Sequence, residues 1–485
     1  MKNNNVTSRF FETALLFPNK TALQCDNESV TFHQLSEKVN LLCSQFLNKG
    51  IKSGDKILVL HPLSIDLYAS LLALLKLNCC LVFVEEWTKL SDIIACQKQI
   101  NCQYIICSKK VNFIRLFIPS LQRLERISLK HTAQYPITNI EIPWKNEAIL
   151  SFSSGSSGQS KVIIRTHQIL NAQFDALKDK IIDCENAKMI SNFPVVILLN
   201  LGLGISSYLS KSIKMSKLNK TDFRLLYNEI IHEKITHLSV SPYIINQLAN
   251  TIKTESLNKI NLFQIISGGA PFFPSFVENI NQYLVTQYFF VLYGSSEAEP
   301  IAQCSANKIV ENTNNQGLYA GEIDENCQCI VGDVSNGIIT EFEPYKVGEI
   351  FVSGEHVVKN YLNDNDLELK NKIKFKDRIW HRTGDFGYFD SANKLYLTGN
   401  LNKQHGNRYL LDIEKSLQKI KGVERATLLN NIAYVQTQIN EDKRGIEKEI
   451  QLIFNTKIKI IFMKLPLDRR HFGKIKYKEL EQSKQ

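Results

Sequence analysis

Apolar positions in the first 150 residues switch between a helical spacing of about 3.6 and short runs or alternations of strand type, and the switching predicts a series of elements. A helix is expected near residues 34–49, a strand at 56–60, a helix at 66–77, a strand at 80–84, a helix from Lys89 and a strand at 104–107. Gly50 and Gly54-Asp55 punctuate the first helix-to-strand connection, where the chain needs turn residues. Strands that alternate with helices predict a parallel sheet covered by helices, hence an α/β fold. A second alternating block runs from about 170 to 301, with strands at 235–240, 262–267 and 288–292 and helices at 243–251 and 274–284. After Ile301 the pattern turns to short strands and turns, such as 348–353 and 394–398, which predicts a small β-rich subdomain. The longest apolar run, 67–84, is broken by Lys76 and Asn78 and reads as a helix followed by a buried strand, with no membrane span.

Length adds a division into domains. At 485 residues the chain exceeds the roughly 250–300 at which a single core stops growing. The polar, turn-rich stretch GNLNKQHGN at 399–407 marks the expected boundary between domains at 1–399 and 400–485. The net charge of +10 sits mostly in the last sixth, where residues 401–485 hold 18 Lys/Arg against 10 Asp/Glu. That excess reads first as a solvated lysine-rich surface and otherwise as one that draws a phosphate-rich substrate or an acidic carrier protein, and nucleic acid is not expected. The 11 cysteines are scattered without a CxxC pair, which fits free thiols in a reducing compartment and argues against a zinc site. The polar amino terminus lacks a secretory pattern, so a soluble cytoplasmic protein is expected.

Three short segments carry candidate chemistry. AILSFSSGSSGQSKV at 148–162 is an apolar strand delivering a loop of glycines and serines that ends in Lys161. Glycines let the backbone approach a ligand, hydroxyl and main-chain N–H groups donate to phosphate oxygens, and a lysine offsets their charge. The loop is not a Walker A, because Gly158 is followed by Gln159-Ser160-Lys161. Tyr293-Gly294-Ser295-Ser296-Glu297 follows an apolar strand: an aromatic there can stack on a purine, and a carboxylate can hold Mg²⁺. In Arg382-Thr383-Gly384-Asp385 a carboxylate on a tight turn can accept the hydroxyls of a ribose. Each pattern alone is equally what a connecting loop, a core-edge tyrosine or ordinary turn chemistry produces.

Taken in order, they resemble the adenylate-forming superfamily of acyl-CoA synthetases, adenylation domains and luciferase-like enzymes, over nearly the whole chain. Ser153, Ser154, Gly155, Ser156, Ser157, Gly158 and Lys161 match that family's Ser/Thr-Gly loop, with Ser160 and Val162 replacing its Pro and final Gly, and His167 matches its downstream histidine. Gly268-Gly269-Ala270 is similar to the family's adenine-flanking run, Tyr293 to Glu297 to its Tyr-Gly-x-Thr-Glu, and Gly348-Glu349-Ile350 with Tyr361-Leu362 to a further shared element. Thr383-Gly384-Asp385 matches the ribose-binding Thr-Gly-Asp, and Gly473-Lys474-Ile475 the motif of the catalytic lysine. The resemblance implies a large amino-terminal domain of mixed sheets layered with helices, a small β-barrel-like subdomain and a small mobile α+β carboxy-terminal lid. It implies ATP- and Mg²⁺-dependent conversion of a carboxylic acid to its acyl-AMP with release of pyrophosphate. Lys474 is then the catalytic cation, Glu297 with Ser156 the metal-binding pair, Ser153 to Lys161 the phosphate loop, Tyr293 to Ser296 and Gly268 to Ala270 the adenine site, and Asp385 the ribose ligand.

Departures bear on the second half-reaction and on the acid. Gly399 is followed by Asn400-Leu401-Asn402 where the family has an arginine and an aspartate, and the loop to Gly406-Asn407-Arg408 is short. That loop serves thioester formation in the family, so transfer to CoA or a carrier protein is the step these changes touch. Residues 192–204, with Phe193, Ile197, Asn200 and Gly202, match the stretch lining the acyl pocket in relatives and contain no acidic residue. An amino-acid substrate needs a partner for its ammonium, so an apolar acyl chain is expected. This stretch, with YGSSEAEP at 293–300 and Asp468-Arg469-Arg470-His471, looks most like the fatty-acid ligase branch that includes β-lactone-forming enzymes, in which no CoA is needed. An amino-acid-adenylating enzyme and a nucleotide- or acyl-binding homologue without turnover remain the alternatives.

Overall fold

The computed structural model describes residues 5–84, 88, 90–129, 146–154, 160–362, 364–400, 404–405, 408–437, 442–455, 457–468 and 471–482. The chain falls into two compact units, one of residues 1–239, 296–299 and 354–370, the other of 240–295, 300–353 and 371–485.

The first unit is built from the helix–strand alternation of the amino-terminal half. Its six-stranded sheet runs Glu125–Arg126, Tyr104–Cys107, Lys56–Leu60, Cys80–Phe83, Glu147–Ser154 and Ser160–Thr166 in spatial order. All neighbours are parallel except the last pair, an antiparallel hairpin in register from Ile149–Arg165 to Ser154–Ser160. Helices Phe32–Asn48 and Ile65–Lys76 begin where side chains satisfy open N–H groups: Thr31 and Gln34 form a reciprocal capping box, and Ser64 accepts from Leu67. Helix Ile65–Lys76 is buried almost all round, which explains its largely apolar sequence. A second group of strands, His237–Val240, Lys188–Ser191, Ser206–Tyr208 and Thr21–Cys25, is parallel and ends on the antiparallel strand Glu28–Thr31.

In the second unit Ile260–Gly268 lies parallel to Leu284–Ser295. An antiparallel group follows, ordered Ile338–Glu341, Gln328–Ser335, Gly348–Ser353, Arg378–Phe389, Leu395–Asn400 and Leu318–Ile323. The tight turn read at Arg382 to Asp385 is instead an irregularity inside the strand Arg378–Phe389. Its register against Gly348–Ser353 jumps between Glu349–Phe386 and Phe351–Arg382, so the extra residues bulge out, with Gly384 at φ +72°. The carboxy-terminal segment packs helices Leu410–Leu417 and Lys443–Phe454 on the strands Val423–Leu429, Ile432–Thr437 and Lys459–Phe462, around a core that includes Ile413, Leu417, Ala426, Val435 and Ile450.

Candidate active site

In the first unit the phosphate-loop hairpin meets the turn that carries Glu297. The strands flanking residues 155–159 are paired to their ends, Ser153 opposite Lys161 and Ser154 opposite Ser160. Gly155, Ser156, Ser157 and Gly158 lie outside the described residues. Arg165 on the second strand is buried, donates from Nη1 to Ser151 Oγ at 2.6 Å and from Nη2 to the Ser296 carbonyl. Its guanidinium therefore ties the hairpin to the Ser296-Glu297 turn. Glu297 is buried, its carbonyl accepts from the Val358 N–H at 2.8 Å, and its Oε1 accepts from the Tyr361 hydroxyl at 3.4 Å. Tyr361 is fixed by the Ile163–Tyr361 bridge and by Glu368, which accepts its N–H, and the Lys161 ammonium stands 5.6 Å from its ring centre. Burial, followed by the Glu297 charge, pushes the Tyr361 phenol up, so it stays a donor to that carboxylate.

In the second unit the Tyr293 hydroxyl donates to Asp385 Oδ2 at 2.9 Å. Burial, and then the Asp385 charge, raises the Tyr293 phenol well above its ordinary range. Asp385 is set by its own backbone: its N–H donates to Thr383 Oγ1 at 3.1 Å, and that hydroxyl donates to the Ile350 carbonyl at 2.9 Å. Gly294 and Ser295, at the end of the same strand as Tyr293, are half-buried. Gly268 ends its strand so close to the next that a Cβ would lie 2.8 Å from the Leu292 carbonyl oxygen.

Gly269 and Ala270 receive the carboxy-terminal loop. A Cβ on Gly269 would stand 3.0 Å from the His471 ring, and one on Gly473 would overlap Ala270 Cβ at 2.1 Å. The loop is organised by Asp468, whose Oδ2 accepts from His471 N at 2.7 Å and whose Oδ1 accepts from Gly473 N at 2.9 Å and Lys474 N at 2.6 Å. Asp468 N donates back to the Lys474 carbonyl at 2.8 Å, and the Gly473 carbonyl accepts from buried Arg425 at 3.0 Å. The Phe472 ring of the loop lies 5.4 Å from the Tyr243 ring. Lys474 itself is exposed. Asn402, Gly406 and Asn407 fall outside the described residues.

His167, the histidine matched downstream of the loop and a further candidate for the substrate pocket, and the four acyl-pocket candidates of residues 192–204 are dispersed in the first unit. His167 is fully buried at the start of helix His167–Lys178, where its Nδ1 accepts from Val6 N at 3.3 Å, and burial pushes it down to about 4. Phe193 directly precedes helix Pro194–Leu203, Ile197 is in the core, and Asn200 donates to Ser207 Oγ at 2.9 Å. Gly202 lines an apolar cavity of about 60 Å³ together with Val195, Leu198 and Leu199, one stripe of that helix at helical spacing, facing Phe10, Leu72 and Phe174. Arg165 and the bonding role of Asp468 were not anticipated; a lone arginine in the apolar strand VIIRT was the signal available for the first.

A family model described as AMP-binding enzyme matches residues 10–362, well over half of the chain. The chain belongs to the AMP-binding enzyme family. It is 24% identical to 4-coumarate–CoA ligase-like 6 of Arabidopsis thaliana over 73% of this chain and 64% of that protein, so it spans just under two thirds of that relative's length. It is 22% identical to the olefin beta-lactone synthetase of Stenotrophomonas maltophilia over 88% of this chain and 85% of that one. Among solved structures, the O-succinylbenzoate coenzyme A synthetase of Bacillus subtilis in complex with ATP and magnesium ion superposes with a TM-score of 0.79 at 18% identity, covering 98% of this chain and 99% of that one. At that identity the likeness establishes the fold, the mixed α/β architecture of adenylate-forming enzymes.

Proposed function

We propose that this member of the family activates a carboxylic acid with ATP, its carboxylate attacking the α-phosphorus to give acyl-AMP and pyrophosphate. The observation that carries the reading is the Asp468-bound loop, which packs Gly473 on Ala270 and so sets Lys474 beside the Gly268-Gly269-Ala270 strand end. The reaction crowds negative charge on the α-phosphate, and a cation delivered there stabilises the transition state. Lys474 is that cation, bridging carboxylate and phosphate oxygens. Tyr293 stacks on adenine, Asp385 accepts the ribose hydroxyls with its orientation set by Tyr293 and Thr383, and the loop with Ser153, Ser154, Ser156 and Lys161 binds the β- and γ-phosphates. Residues 400–485 act as a lid on the domain of residues 1–399.

The chain fits Mg²⁺ of the substrate-bound kind. Among the described residues there is no group of three or more His, Cys, Asp or Glu able to hold an ion alone. One buried carboxylate, Glu297, suits an ion that takes one or two protein oxygens and completes its shell with phosphate and water. Bound there, Mg²⁺ would neutralise phosphate charge.

The absence of an acidic residue at 192–204 and the apolar stripe from Val195 to Gly202 support an apolar acyl substrate. CoA or a carrier protein is the acceptor. A second reading, closure of a β-hydroxy acyl-AMP on its own hydroxyl without CoA, is favoured by the nearly full-length match to an olefin beta-lactone synthetase together with Asn400 and Asn402 at the hinge. ATP–pyrophosphate exchange measured over a panel of aliphatic, aromatic and amino acids tests the first step. Exchange is expected with aliphatic acids, and none with any acid from folded protein sinks the reading. Product analysis with a β-hydroxy acid, with and without CoA, separates thioester from lactone.

A further inference from the structure

Helix Lys109–Arg115 and the residues after it hold a cluster of large apolar side chains in solvent: Phe113 is 64% exposed, Ile114 42%, Leu116 49% and Phe117 72%. The two phenylalanine rings meet edge to face at 5.4 Å, forming one continuous apolar ridge. The ridge is held on a firm base. Ser108 caps the helix by accepting from Val111 N, and Ile118, Leu121 and Leu124 are buried in the core beneath. The Arg115 guanidinium clamps the turn, donating to Asn112 Oδ1 at 2.8 Å and to the Leu121 and Leu124 carbonyls at 3.2 and 2.8 Å. Side chains of this size on a fixed scaffold are costly to leave in water unless something covers them.

Charge identifies what covers them. Lys109, Lys110, Arg123 and Arg126, which flank the ridge in sequence, are exposed. The one acid between residues 108 and 127 is Glu125, and it is paired with Lys49 at 3.1 Å. Exposed Leu15, Leu16 and Phe17 form an apolar group elsewhere in the first unit, flanked by Lys20, whose ammonium lies 5.8 Å from the Phe17 ring centre, and by Arg9, which is paired with Asp175. Aromatic and aliphatic side chains flanked by lysine and arginine are the chemistry of an element that lies in a membrane interface, rings at the acyl boundary and cations among anionic headgroups. No helix among the described residues is long and apolar enough to cross a membrane. We infer that the protein docks peripherally on an anionic lipid bilayer through Phe113, Ile114, Leu116 and Phe117, with Lys109, Lys110, Arg123 and Arg126 on the headgroups. The inference does not depend on the ligase reading.

The test is co-sedimentation of the full chain with vesicles of phosphatidylcholine alone and of phosphatidylcholine with phosphatidylglycerol. Binding is expected to the anionic vesicles only and to weaken as salt is raised. Phe113→Ser/Phe117→Ser should abolish it while leaving the melting temperature and pyrophosphate exchange unchanged, because both rings are exposed. Lys109→Gln and Lys110→Gln should each weaken it about fivefold. Wild-type protein that stays in the supernatant with anionic vesicles overturns the inference, as does undiminished sedimentation of the double phenylalanine variant. Light scattering supplies the remaining arm: a wild-type dimer that becomes monomeric in the double variant, with no vesicle binding, makes the ridge a contact between copies and overturns it too.

Discussion

Replacing Asp468 by alanine removes a carboxylate that gathers three backbone N–H groups of the loop before Lys474. Three backbone N–H groups, those of His471, Gly473 and Lys474, converge on its two carboxylate oxygens within 2.9 Å. A hydrogen bond to a charged acceptor contributes about 1.5–3 kcal/mol when shielded, but Asp468 is half-exposed and water can replace the lost partners, so about 2–3 kcal/mol is a fair total. If the loop's ordered form is the one that delivers Lys474, that loss lowers the exchange rate by about 30- to 140-fold, at 1.4 kcal/mol per decade. Asp468→Asn keeps one oxygen for Gly473 and Lys474 but loses the charge, so about a 3- to 10-fold loss is expected. The KM for ATP should hardly move in either variant, because Tyr293 and Asp385 bind each other on separate strands of the sheet. Pyrophosphate exchange with saturating acid reads the rate, and circular dichroism checks that the fold is intact. The decisive comparison is the double variant: Asp468→Ala should cost nothing further once Lys474→Ala is present, since both act through one side chain. An Asp468→Ala enzyme at the wild-type rate, or one whose loss adds in full to that of Lys474→Ala, refutes the argument.

Three other substitutions probe the remaining parts. Tyr293→Phe keeps the ring and removes its hydrogen bond to Asp385, so the KM for ATP should rise about 3- to 10-fold with little change in kcat, a loss of about 1 kcal/mol; an unchanged KM would show that Asp385 needs no such support. Arg165→Leu takes the guanidinium donors from the half-buried Ser151 hydroxyl and Ser296 carbonyl and should lower stability by about 1–3 kcal/mol in urea unfolding, with exchange activity falling because Glu297 follows Ser296; an unshifted midpoint contradicts this. His167, held near 4 by burial, binds fewer protons folded than unfolded between that value and about 6.5, so stability is full above the unfolded pKa and is lost as pH falls through the window, by about 3 kcal/mol at pH 4. His167→Asn should flatten that part of the stability profile, and equal slopes for the two proteins would rule histidine out as the source.

Much of the fold was legible because the periodicities are clean where burial is complete. The strands Lys56–Leu60, Tyr104–Cys107 and Gly348–Ser353 have the bounds that the apolar runs predict, and Phe32–Asn48 and Pro274–Tyr283 differ from expectation by two residues or fewer. The strand Arg378–Phe389 was hidden for a physical reason. Thr383-Gly384-Asp385 has the composition of a turn, and only the partner Gly348–Ser353 shows that the same residues form a bulge, an extra length of chain inside a continuous ladder. The hairpin Glu147–Ser154 with Ser160–Thr166 was half seen: its first strand reads as apolar, while Arg165 breaks the pattern of the second because its charge is satisfied by Ser151 and by a carbonyl far along the chain.

The same distinction separates what was readable at the site from what was not. Glycines mark it in the sequence because the backbone there runs too close to something else to allow a side chain: a Cβ on Gly268 meets the Leu292 carbonyl, one on Gly269 meets His471, and one on Gly473 meets Ala270. Such constraints act on single residues, so they surface as short fixed runs that any reader of the sequence can find. Asp468 acts through its neighbours' N–H groups three, five and six residues on, and Arg165 through residues in other strands. Their roles are properties of a folded loop and a paired hairpin, so the sequence could display the residues and leave their function unreadable. By this logic the side chains that remain for mutagenesis to find here are the polar ones that hold backbone in place.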